Sequence, residues 1–426
     1  MTAGNNRNRE FIGLLLATAT LIFGAAIVVA ARGGAWDWPK DIWLVPAALL
    51  VTHLILRFKA RRADPLLLSI AAFLSVLGLI ELRSLGSSTL FVQQIWMVLG
   101  LAAVVAVVLL IRDPDHLGEF KYLAGLGGIV LLLAPIFVGT IRGGSKLWLV
   151  VGGYSFQPAE PAKILLVIFL AAYLAEKKEV LAAGRRRLLG LAWPPARHFG
   201  PLIVTWLVSV AILVLERDLG SSLIFFTLFL VMLYIATGRP VFVFVGMILF
   251  LSGADLAYRI FPHVASRVHV WLNPLPADVS GAAYQVAQSL FALAAGGISG
   301  TGLGAGLLGR QVAMPAVHTD FIFSAVGEEL GLAGAAVIIL AYMLLVERGW
   351  HIALRSKSDF SMLLAAGLAT VTGIQTVVIV GGVIKLIPLT GVTLPFMSYG
   401  GSSVVSSFII VGLLLSISAQ NNAVKT

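Results

Sequence analysis

Apolar residues occur in long runs from one end of the chain to the other, and polar residues are confined to the stretches between them. A helix needs about 20 apolar residues to cross roughly 30 Å of hydrocarbon. The pattern predicts about twelve spanning helices, at 11–31, 42–56, 65–82, 92–111, 122–139, 161–175, 201–215, 221–237, 241–258, 321–346, 362–383 and 404–418. A membrane barrel would show short alternating strands instead. We therefore predict an all-α fold, a polytopic transmembrane helical bundle.

Composition supports a membrane protein. The 426 residues are 59% hydrophobic and 12% charged, with a mean hydropathy of +0.98, whereas soluble domains carry roughly 25% charged residues. A water-soluble fold is excluded. The chain has no Cys, which removes disulfides and thiolate metal sites.

The formal net charge of +10 indicates topology rather than nucleic-acid binding. Most Lys and Arg residues lie in alternate connections, as the positive-inside rule requires when both termini are cytoplasmic. We therefore expect a multi-pass membrane protein with no nucleic-acid partner.

One connection, 259–320 between spans 9 and 10, is far longer than a typical loop and is predicted to be extracellular. It contains the glycine-rich stretch GGISGTGLGAGLLG. A dinucleotide fingerprint would need a βαβ unit, for which there is no room. Close-packed backbone or a re-entrant turn explains the glycines better.

Asp278 is the candidate acid of this connection, in RVHVWLNPLPADVSGAAYQVAQSL. A lone Asp in a loop is most often a turn or capping residue. Transfer of a chemical group to a hydroxyl needs a general base, however, and a partly desolvated carboxylate at the membrane surface supplies one. Both interpretations stay open on the residues alone.

The segment MPAVHTDFIFSAVGEELG brings His318, Asp320, Glu328 and Glu329 to the entry of a span. Ionisable groups at membrane depth are costly and usually face a partner or a wet cavity. Glu328 and Glu329 either bind backbone and fix the loop or take part in catalysis.

Further candidates lie at the predicted outer ends of other spans. Glu160 and Lys163 are spaced i, i+3 and share a helix face. They either form a packing ion pair or, with the other outer cations, bind an anionic pyrophosphate. Those other cations are Lys146, Arg217 and Arg267.

Two short segments complete the candidates. Asp218 belongs to the trio Glu216, Arg217 and Asp218 in a short outer loop, which could be a solvated turn. The segment KLIPLTGVTLPFMSYGGSS contains Lys385 and Ser398 and predicts a broken helix or re-entrant segment lining a cavity. The chain shows no metal-ligand motif, but a Mg or Mn ion bridging a pyrophosphate would need none.

Five motifs in one order, SFQPAEPAKI, ERDLGSSL, AAYQVAQSLFALAAGGISGTGLG, HTDFIFSAVGEELG and IPLTGVTLPFMSYGGSS, resemble the SEDS family of shape, elongation, division and sporulation proteins, which includes RodA and FtsW. The resemblance covers almost all of 123–418. It implies a ten-helix core, for which we expect residues 91–426, and two additional N-terminal helices with their connection in residues 1–90.

The resemblance also implies function. The essential acid of the family falls on Asp278, shortly before Tyr284 and Gln285, and other family positions fall on Glu160, Lys163 and Asp218. This chain departs from the family at Val279, where a Pro is usual, and at Asn273, where an Asp is common.

The implied activity is a peptidoglycan glycosyltransferase acting on lipid II, a disaccharide-pentapeptide on undecaprenyl pyrophosphate, in cell elongation or division. The implied location is the bacterial inner membrane, with the active site on its extracytoplasmic face. The implied partners are membrane lipids and a class B penicillin-binding transpeptidase, and the lipid tails are expected in a groove between helices. A lipid II flippase is the alternative, because a carrier also uses buried Glu and Lys. A non-enzymatic scaffold is a third class.

Overall fold

The chain is mostly helical in the computed structural model, which describes residues 3–33, 40–142, 145–183, 186–188, 191–193, 196–215, 217–275, 281–309, 311–312 and 314–423. The first nine helices are α1 (Ala3–Ala31), α2 (Leu44–Lys59), α3 (Leu66–Ser84), α4 (Leu90–Leu110), α5 (Lys121–Val138), α6 (Ala159–Ala183), α7 (Ala196–Leu215), α8 (Leu219–Thr237) and α9 (Pro240–Ile260). The others are α10 (Pro262–Leu272), α11 (Ala282–Gly296), α12 (Ile322–Arg355), α13 (Asp359–Val383) and α14 (Gly401–Ala423). Short 3-10 helices precede α2 (Lys40–Trp43) and α5 (Pro114–Phe120).

The predicted helical membrane fold is confirmed. Each of the twelve apolar runs coincides with one of these helices, and α10 and α11 lie in the long connection. Within the described part of the chain, nine helices are long and apolar enough to cross a membrane. Helices suit a membrane because each helix satisfies its own backbone polar groups, for which lipid offers no hydrogen-bond partners.

Two small antiparallel sheets are additions that the all-α prediction omits. The first sheet consists of β1 (Thr140–Arg142), β2 (Ser145–Val151) and β3 (Tyr154–Phe156), which lie side by side in chain order. Leu149 of β2 lies opposite Phe156 of β3. Gly152 and Gly153 form its tight turn with φ of 58° and 85°, the geometry that two-residue hairpins require. The second sheet is the hairpin of β4 (Arg186–Leu188) and β5 (Leu191–Trp193).

The chain divides into two compact units. The first comprises the described residues of Met1–Arg112, Ser266–Arg348 and Gln375–Thr426. Its helices approach closely at glycines: a Cβ on Gly100 would lie 2.5 Å from the Phe408 ring, and one on Gly78 would lie 2.4 Å from the Met397 carbonyl. Small residues allow such approaches between membrane helices.

The second unit comprises Asp113–Ala265 and Gly349–Ile374. Its core includes Leu132, Ala162, Leu166 and Phe225, all nearly inaccessible to solvent. A Cβ on Gly128 would meet the Leu166 side chain at 2.8 Å, so α5 and α6 are in direct contact there.

A buried ionic cluster ties α1 to α2 in the first unit. Arg7 pairs with Glu10, and the second oxygen of Glu10 lies 2.8 Å from His53 Nδ1. Arg7 also donates to the Ala63 carbonyl at 2.6 Å. All three ionisable residues are at most 1% exposed. The paired charges therefore join the first helix, the second helix and the turn before α3.

Replacing Glu10 by Ala is expected to lower the free energy of unfolding by about 3 to 5 kcal/mol, because it leaves the Arg7 charge buried without its partner. Denaturant unfolding in mixed micelles measures the change. Arg9→Ala, at an exposed neighbouring position, is the control and should change stability by about 0.5 kcal/mol or less. Equal effects of the two substitutions would contradict the stabilising role of the cluster.

Candidate active site

The glycine-rich stretch forms a turn that fills a break in α12. Gly331 has a φ of 66° inside this helix, which interrupts the helical backbone. The amides of Leu332 and Ala333 donate to the carbonyls of Gly297 and Ile298 at 2.9 and 3.1 Å. On the other side of the break, Thr301 and Gly302 donate their amides to the carbonyls of Glu328 and Glu329, each at 2.9 Å. The turn therefore satisfies both ends of the interrupted helix.

Only glycine fits this contact. A Cβ on Gly296 would lie 1.9 Å from the Gly327 carbonyl oxygen, and one on Gly331 would lie 2.3 Å from the Gly300 nitrogen. The prediction of close-packed backbone in the stretch GGISGTGLGAGLLG is confirmed.

Glu328 and Glu329 hold the loop that follows this turn. Both are 3% exposed. Glu328 accepts from the amides of Leu307 and Leu308 at 2.9 and 3.1 Å. Glu329 accepts from the Gly304 amide at 2.9 Å and from the Ser84 hydroxyl. Of the two alternatives for these acids, the contacts support fixation of the loop. Sequence reasoning missed Glu81, which is 1% exposed and lacks a hydrogen-bond partner among the described residues.

Helix α10 is docked on the segment that follows α13. No residue of α10 is buried, so hydrogen bonds position it. Arg267 donates to the carbonyls of Leu389 and Thr390 at 3.3 and 2.8 Å, and Trp271 Nε1 donates to the Lys385 carbonyl at 3.0 Å. The Lys385 ammonium lies 3.4 Å from the Leu272 carbonyl. These contacts fix the end of α10 immediately before the segment that carries Asp278.

The guanidinium of Arg267, predicted to bind pyrophosphate, therefore bonds to backbone. Arg267 and Asp320 both border Gly391. The position that a Cβ on Gly391 would occupy is 3.9 Å from Arg267 Nη2 and 3.6 Å from Asp320 Oδ2, so the two side chains are neighbours. Lys385 has a φ of 63°, an uncommon conformation for a non-glycine residue that is typical of constrained functional segments.

Removing the Trp271 donor is expected to loosen α10. Trp271→Phe keeps the ring but deletes a hydrogen bond worth about 1 kcal/mol, which corresponds to roughly fivefold in a docking equilibrium. Hydrogen–deuterium exchange of the peptide covering 262–272 should therefore rise about fivefold. The control is Trp43→Phe, at an exposed position. Unchanged exchange in Trp271→Phe would show that this bond does not hold α10.

The segment between α13 and α14 is neither helix nor strand from 388 to 394; that it is re-entrant and lines a cavity stays a prediction. Gln375 Nε2 donates to the Thr393 carbonyl at 2.8 Å, and Gln93 Nε2 donates to the Ser398 carbonyl at 3.0 Å. The Ser398 hydroxyl accepts from the Leu394 amide at 2.9 Å and donates to the Thr319 carbonyl at 2.6 Å. Ser398 is 1% exposed, so its contacts are structural.

His318 adjoins this segment. Its carbonyl accepts from the Tyr399 amide at 2.8 Å, and its Nδ1 is buried without a hydrogen-bond partner among the described residues. Burial lowers the pKa of the His318 imidazole below its ordinary value because it disfavours the charged form. The side chain is consequently neutral at pH 7 and is not a permanent cation for an anionic substrate.

Asp278 lies outside the described residues, which end at Leu275 and resume at Gly281 on either side of it. Helix α11 then begins, with Tyr284 and Gln285 half-buried in its first turn. Gln285 Oε1 is buried and accepts no hydrogen bond within the described structure. The roles of these three residues stay predictions.

The remaining candidates lie in the second unit. The predicted ion pair is present, with Lys163 Nζ 2.9 Å from Glu160 Oε1 and both residues buried. Lys146 donates to the Ile136 carbonyl at 2.6 Å. Asp218 caps α8 by accepting from the Ser221 amide at 2.9 Å, and Arg217 before it has a φ of 64°. Pyrophosphate binding by these residues stays a prediction.

Comparison with known proteins identifies the family. The family described as cell cycle proteins, FtsW/RodA/SpoVE, matches residues 62–423. The chain belongs to the FtsW/RodA/SpoVE family. The match includes α3 to α14 and leaves α1 and α2 before it, which agrees with two additional N-terminal helices. The proposed domain boundary at residue 90 stays a prediction.

Three relatives of the FtsW/RodA/SpoVE family illustrate the similarity. The peptidoglycan glycosyltransferase RodA of Mycobacterium bovis is 41% identical over 97% of this chain and 90% of its own. A solved peptidoglycan synthase complex, described as coordinating polymerization and crosslinking, contains a chain 25% identical, with a TM-score of 0.69 over 84% of this chain and 98% of that one. The crystal structure of Thermus thermophilus RodA, a rod shape determining protein, is 26% identical, with a TM-score of 0.57 over 84% and 96%.

Proposed function

We propose that this protein is a peptidoglycan glycosyltransferase that polymerises lipid II. Its 41% identity to a peptidoglycan glycosyltransferase over 97% of the chain carries this conclusion. The docking of α10 supports it, because the segment that carries Asp278 begins at an anchored helix and ends at the first turn of α11. A general base must be held within reach of the hydroxyl whose proton it takes, and α10 and α11 fix the two points between which the segment with Asp278 runs.

In the proposed reaction, Asp278 takes the proton from the 4-hydroxyl of the acceptor GlcNAc. The acceptor oxygen attacks the anomeric carbon of the donor glycan on the opposite side from the pyrophosphate. The new β-1,4 bond forms as the bond from that carbon to the pyrophosphate oxygen breaks, and undecaprenyl pyrophosphate departs with the electron pair. Inversion at the carbon follows from this geometry, and the proton remains on the Asp278 carboxyl until solvent removes it.

The leaving pyrophosphate needs positive charge. Arg217 of the second unit and Lys385 of the first unit are two separate candidates for this cation, and a cation beside the leaving oxygen stabilises the negative charge that develops there. No group of metal-binding side chains occurs among the described residues. A Mg or Mn ion carried by the substrate is a separate proposal, which chelation with EDTA tests.

The positive-inside pattern supports cytoplasmic termini and an extracytoplasmic active site in the inner membrane. We further propose a class B penicillin-binding transpeptidase as partner. The solved synthase complex, described as coordinating polymerization and crosslinking, supports this assembly.

The test is polymerisation of labelled lipid II by the full-length protein in detergent, with and without the cognate transpeptidase. Glycan ladders that a muramidase digests are the expected result. A protein that makes no glycan under either condition but moves lipid II across liposome bilayers would be the alternative flippase.

A further inference from the structure

A basic cavity of about 260 Å³ lies where α2 and α4 end beside α14. It is lined by Lys59, Ala60, Val108, Leu109, Ile111, Arg112, Ser416 and Ala419. All of these residues belong to the first compact unit. The cavity is far larger than one water molecule, whose share of liquid volume is about 30 Å³.

The polar lining of the cavity is cationic. Lys59 and Arg112 are exposed, and neither has an ion pair or hydrogen bond with the described residues. The lining contains no carboxylate. The next acid along the chain, Asp113, accepts from the Asp115 amide at 3.1 Å and lies 3.8 Å from His116. The two cations are therefore available to an anion.

The helix ends do not cancel this charge. Each helix C-terminus carries about half a negative elementary charge, so the ends of α2 and α4 together offset about one of the two positive charges. The carbonyl of Ile111, just beyond α4, already accepts from the Ser416 hydroxyl at 2.5 Å. The cavity keeps a net positive charge.

Part of the cavity lining is apolar and continues into exposed leucines of α4. Val108 and Leu109 line it, and Leu109 is 39% exposed while the following Leu110 is 82% exposed. Apolar side chains do not stabilise a free anion. A phospholipid, in contrast, places its phosphate on the two cations and its acyl chains along the leucines. Basic pockets between membrane helices bind anionic head groups in this way.

We propose that this cavity is a binding site for an anionic phospholipid, with Lys59 and Arg112 contacting the phosphate. Lys59 and Ala60 precede the residues that match the FtsW/RodA/SpoVE family, which begin at 62. The site is consequently built in part by the additional N-terminal helices. Its existence does not depend on the proposed glycosyltransferase activity.

The test measures binding of phosphatidylglycerol to the full-length protein by native mass spectrometry, with phosphatidylcholine as the zwitterionic comparison. Two cations at the membrane surface correspond to about 30-fold in affinity. The double variant Lys59→Gln and Arg112→Gln should therefore bind phosphatidylglycerol about 30-fold more weakly. Ala419→Phe, which fills the cavity without altering charge, should also weaken binding.

The matched control is Arg9→Gln with Arg61→Gln. This variant removes two exposed cations at the same end of the helix bundle. Arg9 and Arg61 lie close to each other there, because the neighbouring Arg7 bonds to the Ala63 carbonyl. Neither Arg9 nor Arg61 lines the cavity. Its affinity for phosphatidylglycerol should equal that of the wild type, and melting temperatures verify that every variant is folded.

Three results would overturn the proposal. Equal losses in the two double variants would mean attraction by general surface charge. Equal binding of phosphatidylcholine would mean that the cavity does not recognise an anionic head group. Displacement of the lipid by inorganic phosphate at equal concentration would mean a free-anion site.

Discussion

Glycan polymerisation is expected to fall by about 10²- to 10⁴-fold when Asp278 is replaced by Asn, the range that a general base typically contributes. Asn preserves the size of the side chain but cannot take the proton of the acceptor hydroxyl. The attacking oxygen would then have to lose its proton to water during the displacement. The measurement is the initial rate of glycan formation from labelled lipid II in the presence of the transpeptidase.

The control for this prediction is Asp255→Asn. Asp255 also lies near the long connection, but its carboxylate is exposed and pairs with Arg259 at 2.9 Å. An exposed pair of this kind contributes little, so the rate should stay near that of the wild type. A folded Asp278→Asn protein that polymerises lipid II at the wild-type rate would place the base on another residue.

Loss of the Glu328 carboxylate is expected to lower the free energy of unfolding by about 3 kcal/mol. Glu328→Ala leaves the amides of Leu307 and Leu308 without their acceptor in a site that is almost closed to water. An unsatisfied buried donor costs about 1 to 3 kcal/mol. Denaturant unfolding measures the total, and hydrogen exchange at these two amides locates it.

Glu347→Ala is the control on the same helix. The Glu347 side chain is 54% exposed, and its ion pair with Arg348 is long at 3.7 Å. It should change stability by about 0.5 kcal/mol or less. Wild-type exchange rates at Leu307 and Leu308 in Glu328→Ala would show that the carboxylate does not hold this loop.

The helices follow from sequence because each satisfies its own backbone within one apolar run. The strands around Gly152 do not, because five of the seven residues of β2 are apolar, as in a span, and because the pairing of the strand depends on neighbouring segments. The sequence feature that predicts this hairpin is the pair Gly152 and Gly153 between apolar residues.

In the candidate site, too, contacts within one helix could be predicted from the sequence, whereas contacts between distant segments could not. The i, i+3 spacing of Glu160 and Lys163 predicted their ion pair because both lie on one helix. The partners of Arg267 are more than 120 residues away along the chain, so its type and position indicated only a free cation. The choice between catalysis and loop fixation for Glu328 likewise depended on amides about 20 residues earlier.

The break in α12 has a consequence for membrane insertion. Until the turn at 297–302 is in place, the carbonyls of Glu328 and Glu329 and the amides of Leu332 and Ala333 lack the partners that the folded chain gives them. Hydrocarbon offers no substitute, and each unsatisfied group there costs several kcal/mol. The turn leaves the ribosome before α12 does, so the chain order supplies the partner first. Burial of the break in α12 is thus coupled to the placement of this turn, which lies in the connection that precedes the helix.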